Sequence, residues 1–477
     1  MNKVGTQIAC GIGLLVLLLL TAVIATGLLD RDDSIALGVL VATPFALVAA
    51  YVVAQGMLGN RGFGATTAAI YIFIVGAIFR VRAYDDKSID LQVAAKLAAF
   101  GIIFITIFVF FSFALGRIRF PRLFYIWLVF FLALTLTSLY AVNVIFSLTC
   151  TVLFLAAYLY SVYMTVWLSR LTAVQVMMWA ALLLCLGSIF VYYAIPSIGV
   201  MQGWTPEGGF GEIGRMKGIT GSANGIGLIA ALGLVLSVLY FRELTTFGKC
   251  TALALIPSAT ACLVLSNNRS SMMGVAAALW FSFMSRKNIG FKVMLTILLG
   301  IAGIAALALF SDVIFAALSR SGKVDEITTA TGRAAIWAVV LEMWAQQPLH
   351  GYGYASALAI LPLDPRLFHA AAHAHNMYLE LLFAGGVILL GLFLYAIWQT
   401  FRQALRLGEI NEAALLIFFL LRGLTEATPF SGMASFSSFA FSLTLALIFG
   451  PLARPYAAYQ GPISAPGAAP RPRLSRA

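Results

Sequence analysis

Charged residues are scarce in this 477-residue chain: they make up 10% of it, whereas hydrophobic residues make up 62%. Soluble domains carry about 25% charged residues, so this composition excludes a soluble globular protein of any size. Apolar runs long enough to cross the hydrocarbon core of a bilayer recur along nearly the whole length. The sequence therefore predicts an all-α, polytopic integral-membrane bundle of about 12–14 transmembrane helices.

Cysteine and histidine are also rare. The five cysteines are odd in number and lie within or at the edges of apolar runs, so they indicate neither a disulfide framework nor a metal site. Histidine occurs only four times. His350, His369, His373 and His375 all fall in one part of the chain, which makes that part the first candidate for chemistry.

The basic residues predict the orientation in the membrane. Short loops such as "RIRFPR" and "SRKNIGFK" are rich in arginine and lysine, which favours the cytoplasmic side for them and for both termini. A first apolar run near residues 6–28 is predicted to remain as a helix. The two longest loops, 196–221 and 312–375, then lie on the outer side. Residues 1–455 form one membrane domain, and the basic tail 456–477 is expected to be disordered and to touch anionic lipid, with no role for nucleic acid.

Several basic residues remain on the outer side, where membrane insertion does not explain them. Arg215 and Lys217 precede a helix predicted to begin at about Ser222 or Asn224, and a helix N-terminus beside a cation suits an oxyanion or phosphate. Arg269 lies in a tight turn, "NNRSS". For each of them the alternative is a lipid-headgroup anchor or a side chain that reaches out to the membrane surface.

A short interfacial helix is predicted from Arg333 to Pro348. Its spacing places one set of apolar residues on the same face as Arg333, namely Trp337, Val340, Leu341 and Trp344. We expect this face to point towards the membrane and to hold Arg333 at the level of lipid phosphates. Membrane packing without any chemistry is the alternative for this helix.

Three interpretations of the histidine stretch "FHAAAHAHN" remain open. His369, His373 and His375 could bind zinc, although their spacing does not place all three on one helical face. They could also be purely structural. The third interpretation is acid–base chemistry, because Asn376 begins an apolar helix whose dipole favours a neutral imidazole at His375. No carboxylate pair of the kind a hydrolase requires is expected near them on the outer side.

Taken in order, the motifs resemble a known family. "NNRSS" is followed by a second set of residues, Gly332, Arg333, Trp337, Pro348, Gly351 and Gly353, and then by "HAHN" at the start of an apolar run. This order resembles the O-antigen ligase and polymerase family of bacterial inner-membrane proteins, over roughly Gly214 to Leu390.

The resemblance implies a glycosyltransferase related to the C-type superfamily. Such ligases move a glycan from undecaprenyl diphosphate to a sugar hydroxyl of lipid A-core on the periplasmic face, with no metal and no cofactor. Arg269 and Arg333 would bind the donor diphosphate, and Arg215 matches a weaker family position. His375 would be the essential histidine, with His373 as its competitor. The chain departs from the family in having about fourteen apolar runs where about twelve are expected.

Other functions remain as alternatives. A polymerase of lipid-linked repeats uses the same leaving group, and so does a ligase that attaches glycans to protein. A transporter or flippase of lipid-linked sugars would instead require ionisable residues within the spans. The candidates for these are Lys96, Glu380 and Arg422.

Overall fold

The computed structural model describes residues 51–78, 90–204, 210–286, 288–304, 333–367 and 372–455, apart from residues 52, 299, 302 and 303. The predicted first span, His369 and the tail 456–477 lie outside these ranges, so the predictions made for them stay predictions.

Helices make up most of the described chain. In order, the helices of ten or more residues are α1 Arg61–Gly76, α2 Leu91–Ala114, α3 Arg122–Leu136, α4 Val144–Tyr163, α5 Arg170–Ala194, α6 Ala223–Tyr240, α7 Thr246–Leu265, α8 Arg269–Ser285, α9 Ile289–Leu298, α10 Arg333–Gln346, α11 Met377–Leu407, α12 Ile410–Arg422 and α13 Phe436–Phe449. Seven of the described helical segments are long and apolar enough to cross a membrane. The predicted class, an all-α polytopic membrane protein, is confirmed.

The strands in the described residues are short. β1, Ile118–Arg119, pairs antiparallel with β4, Arg454–Pro455. β2, Val200–Trp204, pairs with β3, Phe210–Met216, and forms a hairpin within the predicted loop 196–221. This hairpin leads directly towards α6, so it fixes where Arg215 and Lys217 lie.

Two apolar cores hold the described helices together. The larger runs through the bundle and is rich in aromatic rings: Trp127, for example, has edge-on contacts with Phe130 and Phe393 and donates its indole N–H to Thr400 at 2.8 Å. The smaller core lies in the long loop, residues 312–375, where Val340 and Leu361 pack with Phe383 of α11. The long loop is therefore packed against the start of α11.

Helix α11 is interrupted near its start. Gly385 and Gly386 have non-helical backbone angles, with φ of 61° at Gly386. The freed backbone groups are paired by the "PLHGYG" segment of the long loop: Tyr352 N–H donates to Phe383 O at 2.8 Å, and Val387 N–H donates to Pro348 O at 2.9 Å. The interruption separates a short first section, residues 377–384, from the long remainder of α11.

The face of α10 differs in part from the prediction. Val340 is fully buried and Trp337 is half-buried, but Leu341 is 43% exposed and lies outside the packed face. Val339 is buried in its place. The reason is that α10 packs against the start of α11 and the histidine segment. This contact buries a different set of α10 residues from the set that a flat membrane surface would bury.

Candidate functional site

The histidine segment ends in a well-defined helix start. Asn376 is the N-cap of α11, and its side-chain oxygen accepts from the backbone N–H groups of Tyr378 and Leu379. Its amide also donates to Leu424 O at 2.9 Å, and Met377 N–H donates to Gly423 O at 2.7 Å. An N-cap residue satisfies donors that the helix leaves unpaired. These contacts hold the histidine segment against the loop 423–435, which joins α12 to α13.

Glu426, in that loop, is the centre of the site. Its side chain is 4% exposed, and its Oε1 accepts from Arg333 Nη2 at 2.8 Å and from Asn224 Nδ2 at 3.0 Å. Its Oε2 lies 3.9 Å from His375 Nδ1. Burial alone would raise the pKa of Glu426, but His375, Arg422 and Arg333 together lower it to about 2. The carboxylate therefore stays ionised and is shared between a guanidinium and an imidazole.

Arg333 and Arg422 contact the same loop from two sides. Arg333, at the start of α10, also donates to Thr425 O, and its side chain is 16% exposed. Arg422 is buried and donates to Ser271 Oγ at 3.0 Å, to Asn224 O at 3.3 Å and to Thr428. A buried charge needs such compensation, because an unpaired one costs several kcal/mol.

The two histidines differ in their environments. Their ring centroids are 4.1 Å apart. Burial, His375 and Arg333 lower the pKa of His373 to about 4, against the opposing effect of Glu426. His373 is thus neutral near pH 7 and a weak base. His375 has a side chain that is 21% exposed, and it is the histidine that faces Glu426.

Two of the other predicted cations border this network. Arg215 Nε donates to Ser266 O at 2.9 Å, at the end of α7. Two residues later Asn268 caps α8, and its amide donates to Asn224 O at 3.1 Å. Arg269 is the first residue of α8. The loop 196–221 and the "NNRSS" turn therefore meet beside Asn224 and Glu426.

Other predicted residues lie elsewhere or make only local contacts. The backbone N–H of Lys217 donates to Gly199 O at 2.9 Å. His350 Nδ1 is 2.8 Å from Gly351 O, beside the interruption of α11. Arg366, another basic residue of the long loop, is paired with Asp364 and Glu342, at 2.7 and 2.6 Å. In the part of the chain that the structure describes, no group of three or more histidine, cysteine or acidic side chains could hold a metal ion.

Glu426 was not selected from the sequence, and Glu380 was named there only as an ionisable residue within a span. The structure places both carboxylates beside the histidine segment. Glu380 lies in the first section of α11 and accepts from Ala374 N–H at 2.9 Å. A usable signal existed for Glu426, because alternation of the spans places the loop between the last two apolar runs on the side of the histidines. The sequence did not show which residues Glu426 contacts.

Comparison with known proteins supports the family. A family model described as O-antigen ligase matches residues 252–394, which confirms the resemblance over this part of the chain. The matched region includes Arg269, Arg333, His373 and His375, and it ends before Glu426. No curated protein matches the chain.

Proposed function

From the O-antigen ligase match over residues 252–394, we propose that this multi-pass membrane protein transfers a glycan from undecaprenyl diphosphate to a sugar hydroxyl of lipid A-core. The reaction takes place at the periplasmic face of the bacterial inner membrane, with both termini in the cytoplasm. It needs no metal and no cofactor, and it inverts the configuration at the anomeric carbon.

One observation carries the proposal: the carboxylate of Glu426 lies between Arg333 and His375. An ionised carboxylate beside Nδ1 of His375 favours the tautomer that carries its proton on Nδ1. The Nε2 atom is then free to accept a proton. The separation of 3.9 Å is longer than a hydrogen bond, and contacts of this kind shorten when the substrate binds. His375 is accordingly the base, and the low pKa of His373 makes it the weaker candidate.

The transfer then proceeds by direct displacement. The acceptor oxygen forms a bond to the anomeric carbon as its proton passes to His375 Nε2, and the bond from that carbon to the diphosphate oxygen breaks. The diphosphate is already a good leaving group, so no general acid is required. Its negative charge is balanced by Arg333, Arg269 and Arg215, with Lys217 nearby in the chain. A guanidinium has five N–H donors, so Arg333 can contact Glu426 and phosphate together.

The positions of two ionisable residues argue against a transporter. Glu380 and Arg422 were candidates for charges within the membrane, where transport requires them. Glu380 lies in the first section of α11, and Arg422 is the last residue of α12. Both make hydrogen bonds within the polar network around the histidine segment, so both are used at one end of the bundle.

Replacement of His375 tests the proposal. We expect His375→Ala to reduce glycan transfer by at least about 10³-fold, because removal of a catalytic base costs this order of rate. His350→Ala is the matched control, since the ring of His350 contacts Gly351 O and not Glu426. The transfer rate of this variant should stay within about twofold of the parent rate. Both variants are purified in full length and assayed with the lipid-linked donor and lipid A-core. Normal transfer by His375→Ala would refute the role of base.

The lipids that accumulate without this protein separate ligase from polymerase. A ligase leaves polymeric glycan on undecaprenyl diphosphate together with unmodified lipid A-core. Accumulation of single repeat units would show a polymerase instead, and polymer alongside normally modified lipid A-core would contradict the proposed acceptor.

A further inference from the structure

The peptide units between the two histidines are held from both sides. The N–H of Ala374 donates to Oε2 of Glu380 at 2.9 Å, and the carbonyl of Ala374 accepts from Nε1 of Trp337 at 2.9 Å. Ala374 itself is fully buried and packs in the smaller core with Val340 and Leu361. Both backbone groups of this one residue are therefore fixed by side chains from two different helices, α10 and α11.

His375 needs such support because of its own backbone. Its φ is 48°, in the left-handed region that favours glycine. A residue with a Cβ atom stays in this conformation only when its surroundings determine it. Asn376 fixes the chain on the following side as the N-cap of α11, and the Ala374 contacts fix it on the preceding side.

This conformation decides where the imidazole points. A change in φ of His375 would rotate its side chain away from Oε2 of Glu426, from which Nδ1 is 3.9 Å distant. A displacement of about 1 Å in a reacting group lowers a rate by about 100-fold. The orientation of the base thus depends on contacts made by its neighbour.

We propose that Glu380 and Trp337 are positioning residues for His375, which act by holding the N–H and the carbonyl of Ala374. The proposal rests on the proposed function, because it takes His375 as the base. Neither residue contacts the reacting atoms, and the role of Glu380 is that of a hydrogen-bond acceptor, which an amide oxygen can also fill.

Three variants test this role. Glu380→Leu removes the acceptor, and Trp337→Phe removes the donor while it keeps an aromatic ring. Each should lower kcat by about 10- to 100-fold and leave KM for the lipid-linked donor within about twofold, because the diphosphate contacts are unchanged. Glu380→Gln keeps an acceptor oxygen and should retain at least about half of the parent kcat.

Trp344→Phe is the matched control. Trp344 lies in the same helix and makes the same kind of contact, since its Nε1 donates to Pro348 O at 3.1 Å, but it does not contact Ala374. Its kcat should stay within about twofold of the parent value. The double variant Glu380→Leu with Trp337→Phe should be little worse than the more damaged single variant, because both act through one residue.

Four results would overturn the role. The first is a kcat within twofold of the parent value in both Glu380→Leu and Trp337→Phe. The second is an equal loss of kcat in Glu380→Gln and Glu380→Leu, and the third is an equal loss of kcat in Trp344→Phe and Trp337→Phe. The fourth is a double variant in which the two losses of kcat multiply. If Glu380→Leu fails to fold, Trp337→Phe and Glu380→Gln still decide the question. His375→Ala is measured in the same series. If it transfers glycan normally, the proposed function fails; if it is inactive, the positioning role is judged on its own.

Discussion

At the scale of single residues, the site depends on one carboxylate with several partners. Glu426 accepts from Arg333 and Asn224 and faces His375, while Arg422 lies close enough to lower its pKa. Charges of both signs are thus buried together, so the removal of one leaves another without compensation. The same carboxylate therefore compensates the buried arginines and lies beside His375.

The pKa values of this cluster predict how stability depends on pH. The pKa of His373 falls from 6.5 to about 4 in the folded protein. The unfolded chain therefore binds this proton first, and stability decreases as the pH falls from about 6.5 to about 4. The lowered pKa of Glu426, about 2 against 4.5, contributes stability above about pH 4.5 that is lost as the pH falls towards 2.

Thermal unfolding of the detergent-solubilised protein between pH 8 and pH 4.5 measures the effect. We expect the protonation of His373 to lower Tm as the pH falls below about 6.5 and to leave Tm unaffected between pH 8 and pH 7. In His373→Gln the decrease should be smaller, because the group that takes up the proton on unfolding is gone. An unchanged slope in His373→Gln would mean that other groups cause the acid sensitivity.

At the scale of elements, the start of α11 depends on the interruption at Gly385 and Gly386. A Cβ atom on Gly386 would lie 2.3 Å from the carbonyl carbon of Leu349, and its φ of 61° disfavours any other residue. The neighbouring turn glycines Gly351 and Gly353 also have positive φ values, 64° and 89°. The "GYG" motif therefore serves the geometry of the long loop and of α11, and this geometry sets the position of Glu380 and the histidine segment.

Replacement of Gly386 tests this dependence. Gly386→Ala should destabilise the protein by about 1–3 kcal/mol through backbone strain, with a further cost from the clash. It should also reduce transfer. Gly391→Ala is the control in the same helix, because a Cβ there meets no atom within 4 Å, and it should be neutral or stabilising by up to about 1 kcal/mol. The measurements are Tm and transfer rate, and equal behaviour of the two variants would contradict the structural role of the interruption.

At the scale of the whole molecule, the described chain has polar clusters at both ends of the bundle. Opposite to the histidines, Arg170 is paired with Glu409 at 2.7 Å and with Glu412, which also accepts from Tyr240. Arg286 donates to Asn411 at 2.6 Å on the same side. The loops that carry these arginines are among those predicted to be cytoplasmic, and on that prediction the histidine segment would lie on the periplasmic side.

Cysteine labelling tests this orientation. Cys250 is exposed near the start of α7, at the predicted cytoplasmic end, and Leu363 of the long loop is 82% exposed. In a chain without the other cysteines, a membrane-impermeant maleimide should label Leu363→Cys in cells whose outer membrane alone is permeable. Cys250 should react only after the inner membrane is opened. Labelling in the reverse order would invert the predicted topology.

Local physical effects explain what the sequence predicts well. Hydropathy identifies the spans because each transmembrane helix must expose apolar side chains to lipid and pair its own backbone polar groups. Ser222 and Asn376 cap α6 and α11 as their positions indicated, because capping involves only neighbouring residues. The range of α10, Arg333–Gln346, also matches the prediction, since proline ends a helix locally. The order of the motifs predicted the family over residues 252–394.

Long-range packing decided the rest. The buried stripe of α10 followed from its contact with α11, so Val340 is buried against protein where membrane contact was expected. Glu426 and Glu380 became part of the histidine site only because the loop 423–435 and the first section of α11 fold against residues 372–376. The sequence by itself determined a helical membrane bundle, with Arg215, Arg269, Arg333 and the histidines expected on one side of it, because those properties depend on each segment alone. Only the tertiary structure decided which histidine faces a carboxylate, because that pairing joins segments that are distant in the chain.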